Sequence, residues 1–485
     1  MARDRGQKEF NSGTVTAILV FVVALVSAGV LGGCATFSRD SGFGAVEQAA
    51  KERLHKDVKW QRDDSERDSV RSAVKELLVS PLSVDNAVQA ALLNNPGLQA
   101  TYAELGIAEA DLVQAGRMTN PHFAYLRTSA GGAQKLEWAL TFPIVDLLTM
   151  PLRTRIEGHR FEQVKLAVAG RMLEVATVTR KSWIETVAAE ERVRYLEQVK
   201  LAAEASSDLA GRMERAGNFN RLDRMREEVF HSETAARLAR ARQEAVAERE
   251  RLTRMMGLSG NDIAFLLPER LPDLPADTLE IRDIEGRAMA GRLDVQAAKR
   301  ETEALAASLG LTRATRFINV LELGPAVTKE DPEPWKRGFE VSLQLPVFDW
   351  GSARVAKAEA IYTQALHRVA ETAVNAGSEV RSAYSAYRTA YDTATRYRDE
   401  IVPLRKKIAE ENMLRYNGML IGVFDLLADA REQVAAVTAY IDALRGFWIS
   451  ESDLQAAFNG PPAGRRATGA MDTGGVVPNP ALAGH

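Results

Sequence analysis

Residues 134–146 read Gln134-Lys-Leu-Glu-Trp-Ala-Leu-Thr-Phe-Pro143-Ile-Val-Asp146. Leu136, Trp138, Leu140 and Phe142 alternate there with Glu137, Ala139 and Thr141. A period of two, apolar on one side and polar on the other, predicts a strand between two different environments. The same wording returns later as Gly338-Phe-Glu-Val-Ser-Leu-Gln-Leu-Pro346-Val-Phe-Asp349, where Phe339, Val341, Leu343 and Leu345 alternate with Glu340, Ser342, Gln344 and Pro346. Each stretch has a partner upstream. Residues 122–128 precede Ala130-Gly131-Gly132, and residues 317–323 precede a loop that carries Pro325, Pro332 and Pro334. The reading predicts two hairpins, with strands at 122–128, 134–142, 317–323 and 338–348. Alternation alone suits a transmembrane barrel segment or an antiparallel sheet with one solvated face.

Outward from the strands the period changes. Val164, Val168, Met172, Val175 and Val178 recur at three and four, and no proline interrupts residues 152–210. That is an amphipathic helix of about 60 residues, ~90 Å long. Ala216-Gly217-Asn218 breaks it, and a second helix is expected over 222–256. Two long helices joined by a short turn pack antiparallel. The plan recurs with Ile361, Ala365, Val369, Ala373, Ala376, Val380, Tyr384, Tyr387, Tyr391 and Ala394, a break at Tyr416-Asn417-Gly418, and a last helix over 423–458. Leu98-Gln99-Ala100 matches Val295-Gln296-Ala297, Pro143 matches Pro346, and Gly217 matches Gly418. Three anchors offset by about 200 residues argue for an internal duplication. Ser83 caps a shorter helix that Asn94-Asn95-Pro96 stops, and another is expected from Gly97 to Arg117. Residues 38–80, dense in charge, read as a linker with some helix.

The chain has 485 residues, 62 Lys plus Arg against 65 Asp plus Glu, and a net charge of −3. This balance gives no reason to expect nucleic-acid binding. One cysteine excludes an intrachain disulfide and a multi-thiolate metal site. Arg3, Arg5 and Lys8 precede an apolar run over 15–30 and Leu31-Gly32-Gly33-Cys34. A basic start, a short apolar core and small residues before a cut site describe an export signal over 1–33. The Gly-Gly-Cys end resembles a bacterial lipobox, so Cys34 is the expected site of lipid (palmitate) attachment, and Ala35 in place of aspartate lacks the inner-membrane retention signal. The alternative is an uncleaved anchor helix.

Asn95-Pro96-Gly97-Leu98, Asn120-Pro121, Pro143, Pro346, Gly217 and Gly418 stand in order across the duplication. Together they resemble the TolC family of outer-membrane efflux factors, in its lipid-anchored branch, over residues 83–459. Gly291-Arg292-Leu293-Asp294 departs from Asn-Pro in the second copy. The resemblance implies a mainly α fold, a homotrimer whose long antiparallel helical hairpins form an α-barrel tunnel. Four transmembrane β-strands per chain would contribute to a 12-stranded β-barrel. The segments are then a lipid-anchored stretch over 34–82, repeats over 83–257 and 291–459, an equatorial linker over 258–290 and a loose tail over 460–485. Partners implied are a periplasmic adaptor, an inner-membrane pump and outer-membrane lipid.

On that reading the hairpin tips hold the gate. Asp425 and Asp429 lie one helical turn apart and can present a carboxylate ring to the opening, unless they act as surface caps or as partners of Arg415 and Arg431. Gly217 and Gly418 are expected to supply turn geometries that a side chain would hinder. Asn218, Phe219, Met419 and Leu420 are candidates to contact an adaptor. Glu137 and Glu340 are expected to face the lumen, with Trp138 and Phe339 toward lipid, because a carboxylate at mid-depth in hydrocarbon costs a few kcal/mol. No Gly-x-Ser-x-Gly, HExxH or phosphate loop occurs, and the six histidines are scattered. The sequence therefore predicts no enzyme, no cofactor and no bound metal, and the resemblance implies a passive efflux channel opened by adaptor docking. The rival reading is a periplasmic coiled-coil structural lipoprotein.

Overall fold

The computed structural model describes residues 36–460, apart from 131–132, 281–282 and 332. Cys34, the export signal and the tail beyond residue 460 lie outside the described residues. The helices are α1 (Gly44–Leu54), α2 (Asp64–Leu77), α3 (Val84–Asn94), α4 (Pro96–Ala115), α5 (Ile144–Arg215), α6 (Arg221–Met256), α7 (Ile284–Gly291), α8 (Leu293–Ala314), α9 (Ser352–Arg396), α10 (Val402–Asn417) and α11 (Val423–Asn459). The strands are β1 (His122–Ala130), β2 (Ala133–Pro143), β3 (Leu321–Glu330) and β4 (Lys336–Leu343). No described helix is both long and apolar enough to cross a membrane.

Two compact units form, and they cut across the duplication. One takes Leu105–Gln163 and Lys299–His367 with the described residues up to Gly42, and so holds the strand hairpins of both copies. Its sheet is antiparallel in the order β1-β2-β3-β4, so the two hairpins meet at β2 and β3. Among the described residues β1 and β4 are free edges.

The second hairpin departs from its expected bounds. Pro325 stands inside β3 opposite Phe339, not in the loop, and β4 ends at Leu343 rather than at residue 348. Proline has no N–H to give a ladder. Accordingly the β2–β3 pairing runs from Lys135↔Glu330 to Ala139↔Ala326, omits Gly324 and Pro325, and resumes at Phe142↔Leu323 in the same register. Gly324 makes this possible, since a Cβ there would lie 1.7 Å from the Leu140 carbonyl oxygen. Two backbones meet where no side chain fits.

The other unit takes Phe43–Glu104, Val164–Ala298 and the described residues from Arg368 onward. It contains the hairpins α5–α6 and α10–α11. Helix α5 begins at Ile144, earlier than the proline-free run suggested, and carries Pro151 inside it. Buried Val168, Met172, Leu173, Val175, Ala176, Trp183 and Val187 form the apolar stripe of α5, as its spacing predicted. The second copy differs. Between α9 and α10 the backbone makes a π turn over Tyr397–Ile401, two residues before Pro403. The proline lacks the donor for its own turn, and one inserted residue lets the helix continue past it.

The charged stretch before Ser83 is more ordered than a linker. Val70 and Val74 of α2 are buried, and Phe43 packs edge-on against Tyr102 with ring centroids 4.9 Å apart. Ser83 accepts from the Asn86 amide at 3.1 Å, as a helix cap should. The stretch over 265–275 is a strap over four helices. The Leu271 amide donates to Glu191 on α5 (3.2 Å), Trp448 on α11 donates to the Pro272 carbonyl (3.0 Å), Tyr391 on α9 donates to Pro275 (3.1 Å), and Arg249 on α6 bonds the Phe265 carbonyl.

The departure from Asn-Pro in the second copy has a structural reason. In the first copy Asn94 donates to the Met256 and Gly257 carbonyls (3.1 and 2.8 Å) and Asn95 to Met255 (2.8 Å), which closes the end of α6. In the second, fully buried Arg292 does the same for α11 through the Ala457 carbonyl (3.1 Å). Its guanidinium also grips Asp294 (3.0 and 2.7 Å) and reaches Glu379 (2.8 Å). Burial works against its charge, but the bonds and charges of Asp294 and Glu379 win and hold its pKa above the ordinary arginine value.

Candidate functional site

Two regions carry the residues singled out in the sequence. The first is the sheet. Register sorts every strand side chain onto one of two faces, because neighbours across a ladder point the same way. Glu137 pairs with Leu126 and Thr328, and Thr328 pairs with Lys336; Glu340 pairs with Gly324. Glu137 and Glu340 therefore share a face. With them stand Lys135, Thr141, Glu322, Glu330 and Ser342. Lys135 Nζ is 2.5 Å from Glu137, and Thr141 donates to Glu322 at 3.0 Å. In the row between, Ala124, Ala139, Ala326 and Gly338 line up, so this face is lowest across all four strands there.

The opposite face is apolar. Phe123, Tyr125, Trp138, Leu140, Phe142, Leu323, Phe339, Val341 and Leu343 lie on it and are all exposed. Trp138 stacks edge-on with Phe123 and Tyr125, at 6.2 and 5.6 Å. An exposed apolar surface of this extent is foreign to a water-facing sheet.

The second region is the pair of hairpin tips. Helix α5 closes with Gly217 at φ +77°, the Gly217 amide bonding Glu214 (2.9 Å) and the Asn218 amide bonding Met213 (2.9 Å). This is a Schellman stop, and the left-handed residue is the glycine. Asn220 then caps α6 by accepting from the Asp223 amide at 2.9 Å. At the second tip the expectation for Gly418 fails. Gly418 has φ −78°, and the same bonds occur one residue later, from Met419 to Tyr416 and from Leu420 to Arg415, both 2.9 Å. Met419, at φ +60°, is the left-handed residue. It is 93% exposed and Leu420 is 77% exposed, whereas Phe219 is half-buried and Asn218 exposed.

Asp425 is exposed and accepts from the Gly422 amide at 3.2 Å, so it caps α11. Asp429 is half-buried one turn on. Neither proposed arginine partner reaches them. Arg415 pairs with Glu411 at 3.4 Å, and Arg431 pairs with Glu227 of α6 at 2.8 Å. The Glu227 side chain is 1% exposed and also accepts from Ser206 at 2.9 Å, while Arg431 lies 4.5 Å over the Phe230 ring. This tie between the two hairpins was not visible in the sequence, because Glu227 looks like any charge on a charged helix. Beside it, Leu196, Val199, Met225, Val229, Phe230 and Val434 line a groove of ≈ 530 Å³ together with Arg226, Glu233, Arg237, Arg431 and Glu432.

With this geometry in hand the likenesses to solved structures are readable. Neither a family model nor a curated protein sequence matches the chain. Solved structures do. A membrane protein from Pseudomonas aeruginosa superposes with a TM-score of 0.67 at 20% identity, over 78% of this chain and 92% of that one. The CmeC outer membrane channel of Campylobacter jejuni gives 0.67 at 18%, over 78% and 86%. The open state of the MtrE outer membrane channel of Neisseria gonorrhoeae gives 0.63 at 18%, over 78% and 89%. The chain thus has the fold of the TolC-like outer-membrane channels, mainly helical with a four-stranded antiparallel sheet.

Proposed function

We propose that this protein is the outer-membrane channel of a tripartite efflux system, a passive homotrimeric conduit that transforms nothing. The observation that carries this reading is the sheet: one face apolar and exposed, the other polar, with both edges unpaired among the described residues. In hydrocarbon an open edge leaves backbone groups without partners, at several kcal/mol each. Closure by further copies removes that cost, and three copies of four strands make a barrel of twelve. Glu137 and Glu340 then face a water-filled lumen while Trp138 and Phe339 meet lipid. Cys34 carries the acyl anchor. Likeness of fold to channels whose solved forms include an open state supports a passage that can open and close.

The tips are where it opens. Asp425 and Asp429 of three chains form a carboxylate ring at the periplasmic mouth, and an adaptor engages exposed Met419, Leu420 and Asn218 when it docks. A ring of fixed carboxylates holds cations in a narrow passage. Single-channel conductance of the purified protein in a planar bilayer tests both parts. Wild type should conduct weakly and be blocked by multivalent cations. Asp425→Ala with Asp429→Ala should conduct more, with the block relieved. No pore from either folded protein would sink the conduit and favour the structural-spacer reading; a pore whose block is unchanged would remove only the two aspartates.

A further inference from the structure

Ionic side chains on the apolar face of the sheet are confined to its hairpin end. Arg127 of β1 pairs with Leu136, Leu136 pairs with Lys329 of β3, and Val327, two residues from Lys329, pairs with Arg337 of β4. Register puts all three cations on the face of Trp138 and Phe339. Strands lie ~4.8 Å apart, so the Arg127 and Lys329 backbones are ~10 Å apart across Leu136, with Arg337 within one pleat of Lys329. Arg127 donates to Gln134 at 3.0 Å, and Lys329 lies 5.8 Å from the Trp335 ring centroid. One carboxylate accompanies them, Asp331, 3.4 Å from Lys329 Nζ. The strand glutamates Glu137, Glu322, Glu330 and Glu340 all stand on the other face. The strand glutamates are therefore confined to one face, with Lys135 and Lys336 beside them, and the strand charges of the other face are all cations gathered at one height.

The other end of the apolar face has no such rim. Phe123, Phe142, Leu321 and Leu343 close it, and there α5 leaves β2 and α9 follows β4. If the sheet spans an outer membrane with its helices in the periplasm, the cationic end lies at the outer leaflet. We infer that Arg127, Lys329 and Arg337 form a binding rim for the phosphates of a phosphorylated glycolipid, lipid A, in that leaflet. The inference rests on the membrane-spanning reading of the sheet. A cation beside hydrocarbon needs a headgroup anion, and each basic side chain near an anionic lipid surface adds attraction. Aromatic Trp138, Tyr125 and Trp335 complete an interfacial belt at the same height.

The test measures binding of diphosphoryl lipid A, its dephosphorylated form and phosphatidylglycerol to the purified full-length protein in detergent, by native mass spectrometry. Wild type should hold diphosphoryl lipid A in preference to both others. R127Q/K329Q/R337Q should weaken that binding at least about tenfold, and R127K/R337K should keep it. Equal binding by the triple glutamine variant, or equal affinity of wild type for phosphatidylglycerol or dephosphorylated lipid A, overturns the rim. Conductance separates this from the broader reading: the triple variant should still form the wild-type pore, whereas a wild type without a pore would mean that the sheet spans nothing.

Discussion

Met419 occupies a backbone conformation that side chains avoid, while glycine next to it occupies an ordinary one. At the first tip the roles are as expected, with Gly217 at φ +77°. The two tips therefore respond oppositely to substitution. Met419→Gly should raise stability by about 1 kcal/mol, and Gly217→Ala should lower it by about the same amount. Gly418→Ala should be near neutral, since a Cβ there meets neighbours only at ordinary distances of 3.5 Å and beyond. Chemical denaturation of the three variants, followed by circular dichroism, reads the signs. A stabilising Gly217→Ala would contradict the Schellman stop. Sequence alone pointed to both glycines, because both follow the last apolar turn of a long helix. It could not show which residue closes the second turn, since a one-residue shift of the stop leaves the pattern unchanged.

Among the elements, the strap over 265–279 carries a pH dependence. Glu191 accepts from the Leu271 amide, yet burial dominates and holds its pKa above the ordinary glutamate value. The group is protonated in both folded and unfolded chains well below its unfolded pKa, and its contribution there is nil. As pH rises through the unfolded and then the folded value, the unfolded chain ionises first and stability is lost. Glu191→Gln keeps a carbonyl for Leu271 and removes the charge. It should match wild type in melting temperature near pH 4 and exceed it near pH 7; a variant less stable at pH 7 would show that the carboxylate is favourable in place. Elements were the most legible scale in the sequence. Periodicity found the long helices and the alternating stretches that became β2 and β4, because each buries or exposes one continuous stripe, whereas the strand expected at 317–323 shares only 321–323 with β3. It failed at two prolines, in the same direction: Pro151 sits inside α5 and Pro325 inside β3, where the pattern ends the element, and a glycine-backed gap at Gly324 accommodates the second. Such compensation depends on neighbours distant in sequence, so no local pattern reports it.

At the scale of the whole molecule, the duplicated chain does not fold as two copies side by side. Each compact unit draws on both repeats: the strand hairpins join through β2 and β3, and the helix pairs collect in the other unit. The repeat boundaries expected at 257 and 291 thus do not coincide with the limits of the two compact units. The glutamates of the polar face were only half found in the sequence, Glu137 and Glu340 but not Glu322 and Glu330, because face membership follows from register between strands about 190 residues apart in the chain.

That pairing leaves each chain with two unlike ends, a β1 edge and a β4 edge. Copies can then join only head to tail, and a ring is complete when the last β4 meets the first β1. A subunit with a ruined β4 edge, as in Val341→Pro with Leu343→Pro, whose N–H groups turn away from β3, can still be joined at β1 but offers nothing to the next copy. It acts as a chain terminator. Co-expressed with wild type in equal amounts, it should leave about one eighth of the pore-forming assemblies if three subunits are drawn at random. Counting pores in bilayers seeded with the mixed population reads this directly, and a loss of only half would mean that chains do not close on one another. In genetic terms such an allele would be dominant, and its poison would come from the intact edge rather than the broken one.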